Sequence, residues 1–410
     1  YRIHAASPQW MRVENLALWL VAVLALRVAL RASLRDRWMA EVATLWFALH
    51  PVHVESVAWL AGRKDVLAMA AIALALSSHA RARESRARWL VPLFVLIALL
   101  SKSMSVVALP LLFAQDLLRK RRFDPWIYGP TTLITVAAFL LHRHVGSVVG
   151  MTDPILGGSH LVAMMTMGAV WPRYVASLLW PPLLSIVQDV PILRHWELAS
   201  VMGWGLLVAW GLAGLALWRR GRPLVLAAAI WFLCGLLPVS QVLVTLQNHM
   251  ADRYLLFAMM GPGLLLAGWF AQFEHYRPWI AAGLTVALAW TTSVRADLFA
   301  DSEAVFADAT RKTQLSPTAP FMLARALEDK GEDSRAEAAY REVLRRVRPE
   351  ELTEPGRRST NNLARLLARR GALGEAEAVL RRGRQLWPED PKILGNLAQV
   401  LARMGRVDEA

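Results

Sequence analysis

Three short stretches of this sequence gather the side chains that could handle an anionic group. They are His50-Pro51-Val52-His53-Val54-Glu55, Gly62-Arg63-Lys64-Asp65 and Asp252-Arg253-Tyr254, with Lys102 standing between two apolar blocks. Arg and Lys donate charge-assisted hydrogen bonds to phosphate oxygens. Arg63, Lys64, Lys102 and Arg253 are therefore candidates for holding a donor phosphate. His50, His53, Glu55, Asp65, Asp252 and Tyr254 are candidates for the groups that support them. Each also has a local reading. Arg63 and Lys64 could snorkel to lipid headgroups, Asp65 could cap a helix, and Asp252 could pair with Arg253. Neighbouring residues on a helix point in different directions, however, so Arg253 is expected to pair elsewhere, either with the donor phosphate or structurally with Glu55 or Asp65. His50 and His53 lack the spacing that sets two histidines on one helix face. A metal needs three or four converging ligands, so no metal is assigned.

The elements that must position these residues are mostly apolar. The chain has 410 residues, 56% of them hydrophobic, and 201–218 and 254–273 carry no charge at all. Runs of that length match the hydrocarbon core of a bilayer. Basic clusters punctuate the blocks: Arg31, Arg35 and Arg37; Arg81, Arg83, Arg86 and Arg88; Arg119, Lys120, Arg121 and Arg122; Arg219, Arg220 and Arg222. Short basic loops stay in the cytoplasm, so an even number of crossings is expected between successive clusters. The blocks at 15–30, 38–49, 66–80, 89–101, 103–118, 125–141, 200–218, 223–239, 254–271 and 278–294 are read as spans. Several are short and are read as helices that stop early, leaving polar backbone in a protein-lined cavity. The block at 161–186 contains Pro172, Pro181 and Pro182 and is read as a broken helix in the outer interface. This topology puts the candidate residues on the outer side, with His142-Arg143-His144 and Asn248-His249 beside them. The net charge of +14 is then a topology signal plus an Arg-rich surface, and no nucleic-acid partner is assigned. Cys234 is the only cysteine, so no disulfide can form within the chain.

From about residue 300 the pattern changes to a repeat. Asn362-Leu363-Ala364 recurs as Asn396-Leu397-Ala398, Gly371 as Gly405 and Ala376 as Ala410. An earlier unit has Leu323, Ala326, Leu327, Gly331, Ala336 and Tyr340, then Pro349, with extra residues inserted around Glu350–Arg357. A period of about 34 residues with small residues where two helices cross is the tetratricopeptide pattern. The fold class is all-α, a polytopic transmembrane helical domain over 1–295 followed by tetratricopeptide repeats over 296–410.

Four segments resemble one family. LHPVHVESVAWLAGRKDVL (49–67), ALLSKSMSVVALPLLFAQD (98–116), RYVASLLWPPLLSI (173–186) and LPVSQVLVTLQNHMADRYLLFAMMG (237–261) are similar, in order, to the transmembrane-and-TPR O-mannosyltransferase family and its bacterial relatives. The resemblance implies a C-type glycosyltransferase fold. It also implies an inverting transfer of a sugar such as mannose from a polyprenyl-phosphate carrier to an acceptor hydroxyl on the outer face. The implied partners are a membrane lipid donor and a protein or glycan acceptor engaged by the repeats. The implied place is the bacterial inner membrane, with the repeats outside. In this fold the catalytic acidic motif follows the first span, so it is expected upstream of Tyr1 and no catalytic residue is assigned within the chain. A further repeat helix is expected after Ala410. Two rivals remain open: a membrane-anchored repeat scaffold without enzyme activity, and a lipid-linked sugar transporter, which would keep polar groups on both sides of the midplane.

Overall fold

The computed structural model describes residues 8–82, 87–148, 155–241, 245–246, 248–348 and 352–409. Arg83 and Arg86 of the second basic cluster, and Pro349 and Glu350 between the repeats, lie outside the described residues. The chain divides into two compact units, Tyr1–Leu184 with Val190–Phe299 and Ser185–Asp189 with Ala300–Ala410. No β-strand occurs among the described residues.

The first unit is built from α1 (Pro8–Ser33), α2 (Arg37–Leu49), α3 (Val54–Ala58), α4 (Arg63–Arg81), α5 (Ala87–Ser101), α6 (Ala108–Arg119), α7 (Pro125–Val148), α8 (His160–Leu179), α9 (Leu198–Arg219), α10 (Leu224–Leu236), α11 (Met260–Phe270) and α12 (Arg277–Leu298). At its centre α4 packs along both α1 and α5. Its run from Val66 to Ala80 is buried at almost every position. A helix apolar on all sides belongs inside, and Ala68, Ala71 and Ala75 let its neighbours approach closely.

Helices α2, α6, α10 and α11 have only 13, 12, 13 and 11 residues. At about 1.5 Å per residue they fall short of a bilayer core of roughly 30 Å. Tight 3₁₀ turns adjoin them at Pro51–His53, Ser103–Val107, Leu237–Val239 and Asp252–Leu255. The first and last of these turns touch, as do the middle two. The uncharged run at 254–271 is therefore not one span. Its first residues form a turn, and the helix begins at Met260. His53, Ser105, Ser240 and Tyr254 each donate to the carbonyl three residues back, which satisfies the groups a helix end would orphan.

The block at 161–186 breaks at Pro181 and Pro182, where a 3₁₀ turn (Pro181–Leu183) follows α8, but not at Pro172. α8 runs unbroken through Pro172. Proline lacks the N–H that would bond the carbonyl of residue 168, and Gly203 lies against that Gly168 carbonyl. A Cβ on Gly203 would overlap the Gly168 oxygen, so the crossing of α8 and α9 depends on glycine at both positions. Gly203→Val is expected to destabilise the helical unit by about 2 kcal/mol, read as a lowered Tm of the purified protein. Gly205→Val is the control, since nothing lies within 4 Å of its Cβ position, and it should melt like wild type.

Several helices turn large apolar side chains outward. Leu133, Val136 and Leu140 do so on α7, Leu198, Leu206 and Leu212 on α9, and Trp279, Val286 and Trp290 on α12. Among the described residues two helices, Gln9–Ser33 and Leu198–Arg219, are long and apolar enough to cross a membrane.

The second unit contains α13 (Ser302–Lys312), α14 (Thr318–Asp329), α15 (Asp333–Arg346), α16 (Glu354–Arg369), α17 (Leu373–Leu386) and α18 (Pro391–Arg403). Helices α14 and α15 pair, as do α16 and α17, and successive pairs stack. Ala336 and Ala376 are fully buried at the crossings, as the repeat pattern requires. The recurring glycines do different work. Gly331, Gly371 and Gly405 take φ of 77°, 86° and 79° and end α14, α16 and α18 in the left-handed conformation. The amide after each glycine reaches back to Leu327, Leu367 or Leu401, the bond that satisfies the last carbonyls of a helix.

Candidate polar site of the helical unit

The tight turns carry the polar residues. Glu55, at the start of α3, is fully buried. One of its oxygens pairs with the Arg253 guanidinium, and the other accepts the Arg253 backbone N–H at 3.0 Å. The Arg253 guanidinium also lies 5.7 Å from the Trp59 ring and 5.3 Å from the Tyr254 ring, within cation–π range. Asp252 points the other way, and Arg295 of α12 donates to it at 2.7 Å. Adjacent residues of one turn thus tie it to α3 on one side and to the end of α12 on the other. Tyr254 donates its hydroxyl to the Asn248 carbonyl at 3.2 Å.

Lys102, which opens the turn at Ser103–Val107, pairs with Asp65 in the first turn of α4. Burial above all, and then the Arg253 and Lys64 charges, disfavour the Lys102 ammonium, and the Glu55 charge favours it. Lys64 is exposed and makes no ion pair among the described residues. Around Lys102 the basic side chains of Lys64 and Arg253 stand with the carboxylates of Glu55 and Asp65, and Lys64 is the one of these without an ion-pair partner among the described residues. Arg63 stands aside. It pairs with Glu14 of α1 at 2.5 Å and reaches Asn15 Oδ1 at 3.4 Å. His142, Arg143 and His144 lie exposed on the last turns of α7, with no ion pair among the described residues.

The two histidines are committed to packing. The Val52 N–H donates to His50 Nδ1 at 3.2 Å, so Nε2 carries the proton and donates to the Leu178 carbonyl at 3.0 Å. The Val52 bond requires a neutral ring, because a protonated Nδ1 cannot accept. Burial lowers the His50 pKa to about 4, helped by the Arg295 charge and opposed by the Leu178 bond. His53 lies 4.7 Å from the rings of both Trp19 and Phe47, and neither of its nitrogens has a hydrogen-bond partner among the described residues. A histidine held neutral in the fold takes up protons more readily when unfolded. Stability is therefore full above the unfolded pKa of 6.5 and falls as the pH drops toward 4. For His50 alone the loss amounts to roughly 3 kcal/mol. Tm should therefore fall between pH 6.5 and pH 4. His50→Asn, which can still accept from Val52 but does not titrate, should flatten that slope. An unchanged slope would place the proton uptake elsewhere.

Several members of this network had only a weak sequence signal. Arg295 reads as a charge at the end of the last apolar block, yet it is 6% exposed and pairs inward. Asn15 is fully buried within α1 and donates to the Val57 carbonyl at 3.1 Å. Tyr174 of α8 is buried beside them and accepts the Ala251 N–H at 3.3 Å. A lone polar residue in an apolar block was the available cue for Asn15.

Comparison with known proteins bears on both units. The tetratricopeptide repeat model matches residues 293–351, 321–391 and 361–410. A protein O-mannosyl-transferase of Caenorhabditis elegans is 30% identical over 125 residues, covering 30% of this chain and 18% of the relative. The chain thus corresponds to under one fifth of that relative's length. No solved structure matches. The chain is all-helical, carries tetratricopeptide repeats at its C-terminal end, and is distantly similar to a protein O-mannosyl-transferase.

Proposed function

We propose that the chain is part of a multi-pass membrane glycosyltransferase of the inverting kind. It would move a sugar, with mannose the leading case, from a polyprenyl-phosphate donor to an acceptor hydroxyl on the outer face. In this reading residues 1–295 form the membrane domain, and 296–410 form a repeat domain that engages a protein acceptor outside. The observation that carries it is the grouping of Lys64, Lys102 and Arg253 with Glu55 and Asp65, in a unit whose helices turn large apolar side chains outward. Large exposed apolar surfaces mark an interaction surface, and lipid tails suit bands that run along whole helices.

The chemistry follows from the charges. Lys64, exposed and without an ion pair among the described residues, would meet the donor phosphate first. Arg253 and Lys102, already oriented by Glu55 and Asp65, would share the charge that builds on the phosphate as its bond to the sugar breaks. Arg63 is less suited to this task, because Glu14 holds it. No residue of the chain is assigned as the base that takes the acceptor proton.

One observation favours a second reading, a membrane-anchored scaffold without enzyme activity. Arg63, Lys102 and Arg253 each have a carboxylate partner already, which is also how a self-sufficient structural network is built. Full-length protein in membranes, supplied with a polyprenyl monophosphate carrying a radiolabelled sugar, separates the two. The transferase reading expects label in the protein or glycan fraction. The scaffold reading expects none.

A further inference from the structure

The repeat unit carries a trough that the transferase reading does not use. The link from α15 to α16 runs over 347–353, whereas the link from α17 to α18 runs only over 387–390. This longer link is where the 34-residue period is broken. Helices α14, α16 and α18 touch in succession. Helices α15 and α17 instead flank an open trough of ≈ 560 Å³ floored by α16, bridged by the Arg341–Glu375 ion pair at 2.5 Å.

The lining has two parts. Leu344, Val347, Leu363, Val379 and Leu386 make an apolar floor. Arg341, Arg345 and Arg382 stand on its walls, Arg341 held by Glu337 and Glu375, and no Asp or Glu is among the described residues that line it. Arg382 is exposed and has no carboxylate partner among the described residues. Arg345 pairs with Glu342, yet its side chain is 75% exposed. Ala338 and Ala378, one on each wall, are exposed and leave the trough open. The face on α16 and α18 differs. Arg365 and Arg369 there are drawn to Glu328 and Asp333 of the preceding repeat.

We propose that this trough docks an amphipathic helix with acidic flanks, contributed by a partner protein. The apolar floor calls for leucine-sized side chains at every third or fourth position, the spacing that puts them on one helix face. The arginines call for carboxylates beside them, and a basic helix would meet like charge on both walls. The trough is large enough for a few such side chains and too open for an enclosed small ligand. This proposal is independent of any sugar transfer.

The test uses the full chain in detergent micelles and two labelled designed helices. Both carry leucines on one face, one with glutamates on its flanks and the other with lysines. Fluorescence anisotropy is read against empty micelles. The glutamate helix is expected to bind saturably and the lysine helix not. Ala378→Trp, which fills the trough from an exposed position, should weaken binding by about tenfold. Arg382→Glu should shift preference toward the lysine helix. Melting temperatures should stay at the wild-type value, since both positions are exposed. The proposal is overturned by no saturable binding, by equal binding of the two helices, or by binding indifferent to both variants. It is also overturned if Arg403→Glu, on the opposite face, abolishes binding while the trough variants do not.

Discussion

Glu55→Gln is expected to destabilise the helical unit by roughly 3–5 kcal/mol, the range for removing one partner of a buried ion pair. Glu55 is fully buried, and the Arg253 side chain is only 15% exposed. Each Glu55 oxygen accepts from Arg253, one from the guanidinium and one from the backbone N–H. A glutamine can keep one of these bonds. Its amide nitrogen must then face a second donor, and the guanidinium charge stays buried without an opposite charge. Thermal unfolding of the purified protein reads the loss directly. Glu55→Leu combined with Arg253→Met should recover most of it, because an apolar pair of similar size avoids the cost of burying charge. A double variant as unstable as the sum of its singles would mean that the two residues do not act as a pair.

Lys64→Glu is expected to weaken binding of a polyprenyl phosphate by about a hundredfold at low salt while Tm stays at the wild-type value. The change reverses the one charge of the cluster without an ion-pair partner among the described residues. Interaction with a phosphate is strongest through charge-assisted bonds, and two charge-assisted bonds lost or reversed approach 2–3 kcal/mol. Lys64 is exposed and makes no ion pair among the described residues, so its loss is expected to cost the fold little. Raised salt should shrink the difference between the proteins, since exposed charges are screened. Arg253→Lys gives the contrast. It keeps the charge and loses the planar fork that meets Glu55, so it should lower Tm. Unchanged specific activity in the surviving protein would assign Arg253 to holding the turn, not to the donor.

Much of the helical architecture was legible because apolar blocks and basic clusters are long signals. The blocks at 15–30, 66–80 and 200–218 lie within α1, α4 and α9. The repeats were legible because identical residues recur at a fixed period. What could not be read was local backbone detail and distant pairing. The run at 254–271 has no charge to mark where its helix starts, yet its first residues form a turn that Glu55 and Arg295 hold from outside. Pro172 reads as a break, but a helix tolerates proline when a neighbour covers the freed carbonyl, and Gly203 does so from another helix. Arg253 could be seen to need a partner other than Asp252. Glu55 and Asp65 were the structural partners the sequence offered; that Glu55, 198 positions away, is the one depends on two turns meeting, and no local pattern encodes that meeting.

Photo-crosslinking tests the central claim most directly. A polyprenyl monophosphate with a diazirine near its phosphate would be added to the full-length protein in lipid nanodiscs and irradiated. The labelled peptides would be mapped by mass spectrometry. The phosphate site proposed here predicts labels concentrated in the segments around Trp59–Asp65, Lys102 and Asp252–Tyr254, and their loss in Lys64→Glu. Labels spread along the outward apolar faces of α7, α9 and α12, unchanged in that variant, would contradict it.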